Sequence, residues 1–209
     1  SILQLLPKNA GITSGVITFE NQDLLKLSCK ELQHIRGSKI ALIPQDPMTS
    51  LNPLFTVGDQ LLEVLKIHQN LKGKEAHKKA VEAFEAVQIP SAEERLKAYP
   101  HEFSGGMKQR AIIAMALACN AEILIADEPT TALDVTIQAQ IMNLLQKIKK
   151  ERGTSILLIT HDLALVRENA DNVAVMYAGK IVEKAPAKEF FEHPMHPYSL
   201  ALLNSLPSN

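Results

Sequence analysis

Three short apolar runs, separated by much longer stretches with helical spacing, constrain the fold of this chain more than any other feature of its sequence. The runs occupy residues 39–44, 123–126 and 155–160. Each run has the length of one strand, and continuous apolar character is typical of strands that are buried on both faces. Buried strands that alternate with helices predict an α/β fold, built on a mainly parallel sheet that helices cover on both sides.

Helical periodicity also marks the region between the first two runs. Apolar residues recur at helical spacing from Thr56 to Val87, with Ala76, Ala80 and Phe84 on one face. We interpret residues 55–103, approximately, as a helical insertion between two parts of the core, residues 1–54 and 104–209. Other predicted elements are a helix over 1–6 that Pro7 stops, a strand over 15–20, helices over 104–119 and 135–152, and a hairpin over 172–184 that turns near Gly179.

The composition excludes several classes of protein. With 46% hydrophobic and 22% charged residues, the 209-residue chain has the composition of a folded domain. The net charge of -1 lacks the basic excess of a nucleic-acid-binding protein, so no nucleic-acid partner is expected. The longest apolar run, residues 111–119, is far shorter than the ~20 residues that cross a bilayer, so any membrane association is expected to go through partner proteins.

Two acids directly follow the second apolar run. Asp127 and Glu128 would lie at the carboxyl end of a parallel strand, where ligands of such sheets gather. One acid there can hold Mg²⁺, and a second can orient or deprotonate a water that attacks a phosphate. A solvated strand end has the same pattern, so this pair alone leaves both interpretations open.

A serine and two glycines precede the helix predicted over 104–119. Ser104 is suited to the N-cap, and Gly105 and Gly106 allow backbone N–H groups to approach an anion closely. The helix dipole adds attraction for negative charge. The alternative is an ordinary cap with a glycine-rich entry.

Single polar residues follow the other two runs and precede another helix. Gln45 and His161 follow strands, and either alone is more often a hydrogen-bonding strand end than a site residue. Asp134 is suited to the N-cap of the helix over 135–152. His193 and His196 have the spacing of metal ligands, but a proline follows each, and we do not expect them to bind metal.

Taken in chain order, these motifs resemble the defining motifs of the ABC ATPases. Gln45 resembles the Q-loop, Ser104 with its glycines the signature, Asp127 and Glu128 the Walker B acids, Asp134 the D-loop, and His161 the H-loop. The resemblance extends over essentially the whole chain. Residues 45–53, 99–107 and 196–203 are similar to the oligopeptide/dipeptide/nickel importer ATPases, and residues 46–49 to the first of their two paired ATPase subunits, the D-type subunit.

The resemblance implies an enzyme that hydrolyses ATP, with Mg²⁺, to power the uptake of peptides across the cytoplasmic membrane. In this family two ATPase domains close head to tail on two ATP molecules. The implied partners are a second ATPase subunit in a heterodimer, transmembrane permease subunits and, indirectly, an extracytoplasmic substrate-binding protein. The implied location is the cytoplasmic face of the membrane, and the cargo is chosen by the other subunits.

The same resemblance implies a role for each motif. Glu128 would polarise the attacking water, and Asp127 would hold Mg²⁺. Gln45 would contact the metal and the water while it senses the membrane subunits, and His161 would contact the γ-phosphate. Ser104, Gly105 and Gly106 would bind the γ-phosphate of the nucleotide that the opposite subunit holds, with Asp134 at the dimer interface beside it.

One motif of the family is missing from the chain. No Gly-x-x-x-x-Gly-Lys-Ser/Thr loop occurs, although in the family this Walker A loop directly precedes a segment that matches residues 1–6. We expect the chain to be a partial ABC ATPase domain that starts just after this loop and to bind ATP poorly by itself.

Two other functions are compatible with parts of the pattern. An ABC-type ATPase of DNA repair would carry coiled-coil heptads or zinc-binding cysteines between the Q-loop and the signature, but Gln45 and Ser104 are only 59 positions apart, with neither feature. A partner subunit with a degraded nucleotide site is favoured by the missing loop and opposed by the presence of Glu128 and His161.

Overall fold

The computed structural model describes residues 2–7, 9–130 and 133–205 of the chain. Contacts divide the chain into two compact units, Ser1–Leu157 and Leu158–Asn209. In chain order the strands and helices are β1 (Thr18–Phe19), β2 (Gln22–Asp23), α1 (Cys29–Ile35), β3 (Ile40–Ile43), α2 (Pro47–Ser50), α3 (Val57–Gln69), α4 (Gly73–Ala86), α5 (Ala92–Arg95), α6 (Gly105–Ala118), β4 (Ile123–Asp127), α7 (Val135–Arg152), β5 (Ser155–Ile159), α8 (Leu163–Asn169), β6 (Asn172–Tyr177), β7 (Lys180–Pro186), α9 (Ala187–Glu192) and α10 (Pro197–Asn204).

The central sheet has the strand order β3-β4-β5, formed by the three apolar runs. Strands β3 and β4 are parallel, with Ile40 opposite Ile123 and Ile43 opposite Ala126. Their side chains are largely buried, and the predicted α/β fold is confirmed. The prediction of full burial is wrong for β5, where Leu157 and Ile159 are each 44% exposed. An apolar run specifies a strand, but the layers that cover each face come from other parts of the chain.

The helices after Thr56 bury the face that the sequence pattern predicted. Ala76, Ala80, Phe84 and Val87 are all at most 4% exposed. The Phe84 ring meets the edge of Phe103, just ahead of α6, with ring centroids 6.4 Å apart. Both α3 and α4 pack on α6. The interpretation of residues 55–103 as an inserted subdomain stays a prediction.

The structure corrects two predictions near the start of the chain. Residues 2 and 3 form a turn rather than a helix, and Gln4 has a φ of 50°, which lies outside the right-handed helical region. The strand predicted over 15–20 is reduced to Thr18–Phe19, which pairs with β2 across a two-residue loop. Both loop residues, Glu20 and Asn21, have positive φ, as a tight hairpin loop requires.

The second unit is built around the predicted hairpin. Strands β6 and β7 are antiparallel, and their turn contains Gly179, which confirms the prediction. Val173, Val175, Ala187 and Phe190 form the core of this unit. Within the described parts of the chain, every helix is too short or too polar to span a bilayer.

Candidate functional site

Two of the predicted site residues are in direct contact at the carboxyl ends of neighbouring strands. The parallel register of β3 and β4 aligns Ile43 with Ala126, so that the second residue after each lies at the same sheet edge. There the side-chain amide Nε2 of Gln45 donates a hydrogen bond to Oε2 of Glu128 at 3.0 Å. The fold thus joins residues that are 83 positions apart in the sequence.

The backbone of Glu128 has an unusual conformation. Its φ of 44° lies in the left-handed region, which costs a residue with a side chain about 1–2 kcal/mol. Such a conformation persists only where the surrounding structure holds it, and it occurs preferentially at functional sites. This observation favours the functional interpretation of the acid pair over a simple solvated strand end.

The residues at this edge are suited to Mg²⁺. Asp127 ends β4, and with Glu128 and the amide oxygen of Gln45 it offers only oxygen ligands, the type that Mg²⁺ prefers. The described residues contain no cluster of three or more His, Cys, Asp or Glu that could hold a metal by themselves. One or two carboxylates that complete their coordination with phosphate and water are the usual protein share of a Mg²⁺ site.

Ser104 and Asp134 each cap the helix that follows. Ser104 Oγ accepts a hydrogen bond from the backbone N–H of Met107 at 3.3 Å, and Asp134 Oδ1 accepts one from Ile137 at 2.9 Å. The N-cap interpretation is therefore confirmed for both residues. Their implied contacts with nucleotide stay predictions. The D-loop motif that ends at Asp134 starts at Thr131, and its residues Thr131 and Ala132 lie outside the described residues.

The glycines after Ser104 adjoin the segment around Asp134. An added Cβ at Gly105 would lie 4.0 Å from Leu133 Cδ2, and one at Gly106 would lie 3.0 Å from Ile137 Cγ2. The structure therefore brings together the residues that resemble the signature and the start of the helix that Asp134 caps.

His161 belongs to the second unit and lies on its surface. It directly precedes Asp162, whose Oδ1 accepts a hydrogen bond from the backbone N–H of Ala164 at 2.9 Å and so caps α8. The predicted contact of His161 with a γ-phosphate stays a prediction.

Two cations on α6 were not among the site residues predicted from the sequence. Lys108 is 8% exposed, and its Nζ lies 3.6 Å from Sδ of Met48, which is on α2, three residues after Gln45. Arg110 donates to the backbone carbonyls of Val87 and Gln88, at 3.3 and 3.0 Å, and to the side chain of Gln140 on α7. The sequence could have indicated both residues, because positive charges in a mainly apolar, buried helix need partners.

The fold and the arrangement at the sheet edge define the chain as an ATP-binding cassette fold. Solved cassettes have the same architecture. The ATP-binding cassette MJ0796, solved as a dimer in a post-hydrolysis state with ADP and Pi, matches with a TM-score of 0.74 and 29% identity over 84% of this chain and 74% of its own. CbiO1 of Clostridium perfringens, part of the complex cbiONQ, matches with a TM-score of 0.73 and 33% identity over 87% of this chain and 69% of its own.

The chain belongs to the ABC transporter family, whose model matches residues 1–131. A second model, the C-terminal region of oligopeptide/dipeptide transporters, matches residues 182–209. The dipeptide transport ATP-binding protein DppD of Bacillus subtilis is 55% identical over 99% of this chain. The oligopeptide transport ATP-binding proteins OppD of Bacillus subtilis and Escherichia coli are 54% and 52% identical, over 100% and 99% of it. The chain spans 62%, 58% and 61% of the length of these three relatives.

Proposed function

We propose that this chain is part of the ATP-hydrolysing subunit of an ABC importer that takes up dipeptides or oligopeptides. The observation that carries the proposal of hydrolysis is the hydrogen bond between Gln45 and Glu128 at the carboxyl ends of β3 and β4. A nucleotide phosphate that reached this edge would meet an acid and a side-chain amide already held together. The names of the relatives and the match of residues 182–209 support peptides as the cargo.

In the proposed reaction, Glu128 orients the water that attacks the γ-phosphate and accepts its proton. The hydrogen bond from Gln45 fixes the carboxylate, so that one oxygen of Glu128 is oriented before the nucleotide arrives. Such positioning is the main protein contribution to phosphoryl transfer. Asp127, with the amide oxygen of Gln45, would hold Mg²⁺, which when bound neutralises charge on the phosphates.

The signature segment acts on a second nucleotide, which the partner ATPase subunit holds in a head-to-tail heterodimer. The first N–H groups of α6 lie at its N-terminus, where the helix dipole attracts phosphate. Ser104 caps this helix, and the absence of side chains at Gly105 and Gly106 leaves the backbone accessible. Asp134 lies at the subunit interface beside the same nucleotide, and His161 contacts the γ-phosphate of the nucleotide held by its own subunit.

The permease subunits are proposed to dock on the apolar surface that follows Gln45. Met48, Leu54 and Phe55 are 58%, 80% and 53% exposed, which is unusual for large apolar side chains so close together in the sequence. A membrane subunit bound there would contact the segment that leads directly to Gln45, which is how we propose that Gln45 senses it. The subunit would lie on the cytoplasmic face of the membrane, and an extracytoplasmic binding protein would deliver the peptide to the permease.

The proposal is tested by the variant Glu128→Gln, in the chain assembled with its partner ATPase subunit and permease. The amide cannot accept a proton from water, so we expect hydrolysis to be abolished while ATP-dependent closure of the dimer persists. The matched control is Glu122→Gln, an exposed acid that pairs with Lys39 just ahead of β4, at its opposite end. The Glu122→Gln variant should hydrolyse ATP at the wild-type rate. Unchanged turnover in Glu128→Gln would refute the role of this acid.

A binding measurement on the 209-residue chain by itself complements this test. Titration with a fluorescent ATP analogue and Mg²⁺ should give weak binding at most, because no Walker A loop occurs in the sequence. Saturation at micromolar concentrations would mean that other residues of this chain replace the loop.

A further inference from the structure

Gly106 on α6 lies so close to Ile137 on α7 that it has a packing role in addition to its proposed role beside the phosphate. A Cβ added at this residue would lie 3.0, 3.6 and 3.7 Å from Cγ2, Cγ1 and Cδ1 of Ile137. The favourable separation of two carbon atoms is about 3.5–4.0 Å, so the first of these contacts would overlap by roughly half an ångström. Ile137 lies in the first turn of α7, whose N-cap is Asp134.

The neighbouring glycine lacks this restriction. A Cβ at Gly105 would meet only Leu133 Cδ2, at 4.0 Å, which is an ordinary contact. The two glycines of the signature therefore differ in this chain. A Cβ fits at Gly105 without any movement, whereas at Gly106 the Ile137 side chain would have to shift by a few tenths of an ångström.

A second contact joins the same two helices one turn further along. Arg110, four residues after Gly106, donates to the side chain of Gln140, three residues after Ile137. Its guanidinium also donates to the carbonyls of Val87 and Gln88 after α4. The start of α6 thus lies against the start of α7 at Gly106, where Ile137 borders the place that a Cβ would take, and a polar contact at Arg110 joins the two helices one turn further along.

We propose that Ile137 is a positioning residue that, through Gly106, holds the signature segment in a fixed arrangement with Asp134. This inference rests on the proposed function, in which both segments act on the nucleotide of the partner subunit. On this view Gly106 is a glycine because of Ile137 in its own chain, in addition to any approach of phosphate. The signature and Asp134 would then reach the opposite nucleotide together rather than independently.

The first test measures melting temperatures of the 209-residue chain. Gly106→Ala should lower the melting temperature by about 3–6 °C relative to Gly105→Ala, from the usual cost of overpacking in a chain of this size. Adding Ile137→Leu to Gly106→Ala should restore it, because leucine branches one atom later and has no methyl at the position of Cγ2. Adding Ile137→Val should not, because valine retains that methyl.

The second test measures ATP hydrolysis in the assembly with the partner ATPase subunit and permease, at a temperature where every variant is folded. Gly106→Ala should lower kcat roughly 10- to 100-fold, the usual effect of a small misplacement in a catalytic site. Ile137→Leu should raise kcat in Gly106→Ala, up to the limit that the added Cβ itself sets beside the phosphate, and Ile137→Val should leave it low. A merely structural role of Ile137 would leave kcat of the folded variants unchanged.

The outcomes separate this inference from the proposed function. A rise of both melting temperature and kcat with leucine, and of neither with valine, supports the inference. Equal melting of Gly106→Ala and Gly105→Ala, or a kcat that leucine fails to raise above that of Gly106→Ala, overturns it. If the wild-type assembly does not hydrolyse ATP, the proposed function fails, while the melting comparison still tests the contact by itself.

Discussion

Gly58 offers the sharpest prediction about stability. It is the second residue of α3, and its N–H donates to the carbonyl of Leu96 at 2.9 Å, while Val57 donates to Ala98 at 2.9 Å. These bonds attach the helix that follows the Gln45 segment to the chain that leads into Ser104. A Cβ at Gly58 would lie 2.2 Å from the Leu96 carbonyl oxygen, about 1 Å inside van der Waals contact.

The variant Gly58→Ala must therefore push α3 away from residues 96–98. Loss of two backbone hydrogen bonds costs about 2 kcal/mol, and the remaining strain adds about 1–3 kcal/mol. The higher helix propensity of alanine recovers up to about 1 kcal/mol. We expect a net loss of about 2–4 kcal/mol in the free energy of unfolding, which lowers the melting temperature of a chain of this size by about 4–16 °C.

Urea titration followed by circular dichroism measures this loss. The matched control is Gly11→Ala, because an added Cβ at Gly11 meets nothing within 4 Å. The control should differ from wild type by less than about 0.5 kcal/mol. If Gly58→Ala and Gly11→Ala unfold at the same urea concentration, the Leu96 carbonyl does not exclude a side chain at residue 58, and the prediction is wrong.

The two cysteines and Glu183 give two further predictions. Burial raises the pKa of Cys119 from 9.0 to about 11, so that at pH 8 it has ~100-fold less thiolate than a thiol with a pKa of 9.0. Iodoacetamide should therefore label the exposed Cys29 before Cys119. Comparable labelling of both cysteines, measured by peptide mass spectrometry, would contradict this. Burial raises the pKa of Glu183, but hydrogen bonds that include those from the Met195 and His196 backbones outweigh it, so the net pKa lies below 4.5. The charged carboxylate thus stabilises the fold above that pH and loses this effect as the pH falls below it. Glu183→Gln should lower the free energy of unfolding by about 1 kcal/mol at pH 7. A difference in unfolding midpoint between wild type and Glu183→Gln that did not shrink below about pH 4.5 would count against this.

Local patterns predicted the elements with the strongest periodicity. The apolar face that ends at Phe84 and Val87, the strands β3 and β4, and the hairpin at Gly179 were all predicted, because each depends on residues close in the sequence. The prediction of a helix before Pro7 failed because Gln4 has a positive φ, which the local apolar pattern does not specify. The prediction of full burial failed for β5, because exposure depends on what packs against a strand rather than on its own composition.

In the candidate site, too, local features were predicted from the sequence, whereas contacts between distant residues were not. The sequence order of the motifs was sufficient to name Gln45 and Glu128, but not to show that one donates a hydrogen bond to the other. It predicted caps at Ser104 and Asp134, and these are local hydrogen bonds that a few residues determine.

By itself, the sequence of this protein determined the α/β class, the order of the motifs and which residues are candidates for the site. Only the tertiary structure decided which of these residues touch, which strand face stays open, and which of the two signature glycines has space for a side chain. The physical reason is the range of the interactions. Periodicity and capping act over a few residues, whereas the contact of Gly106 with Ile137 depends on how two helices pack across the fold.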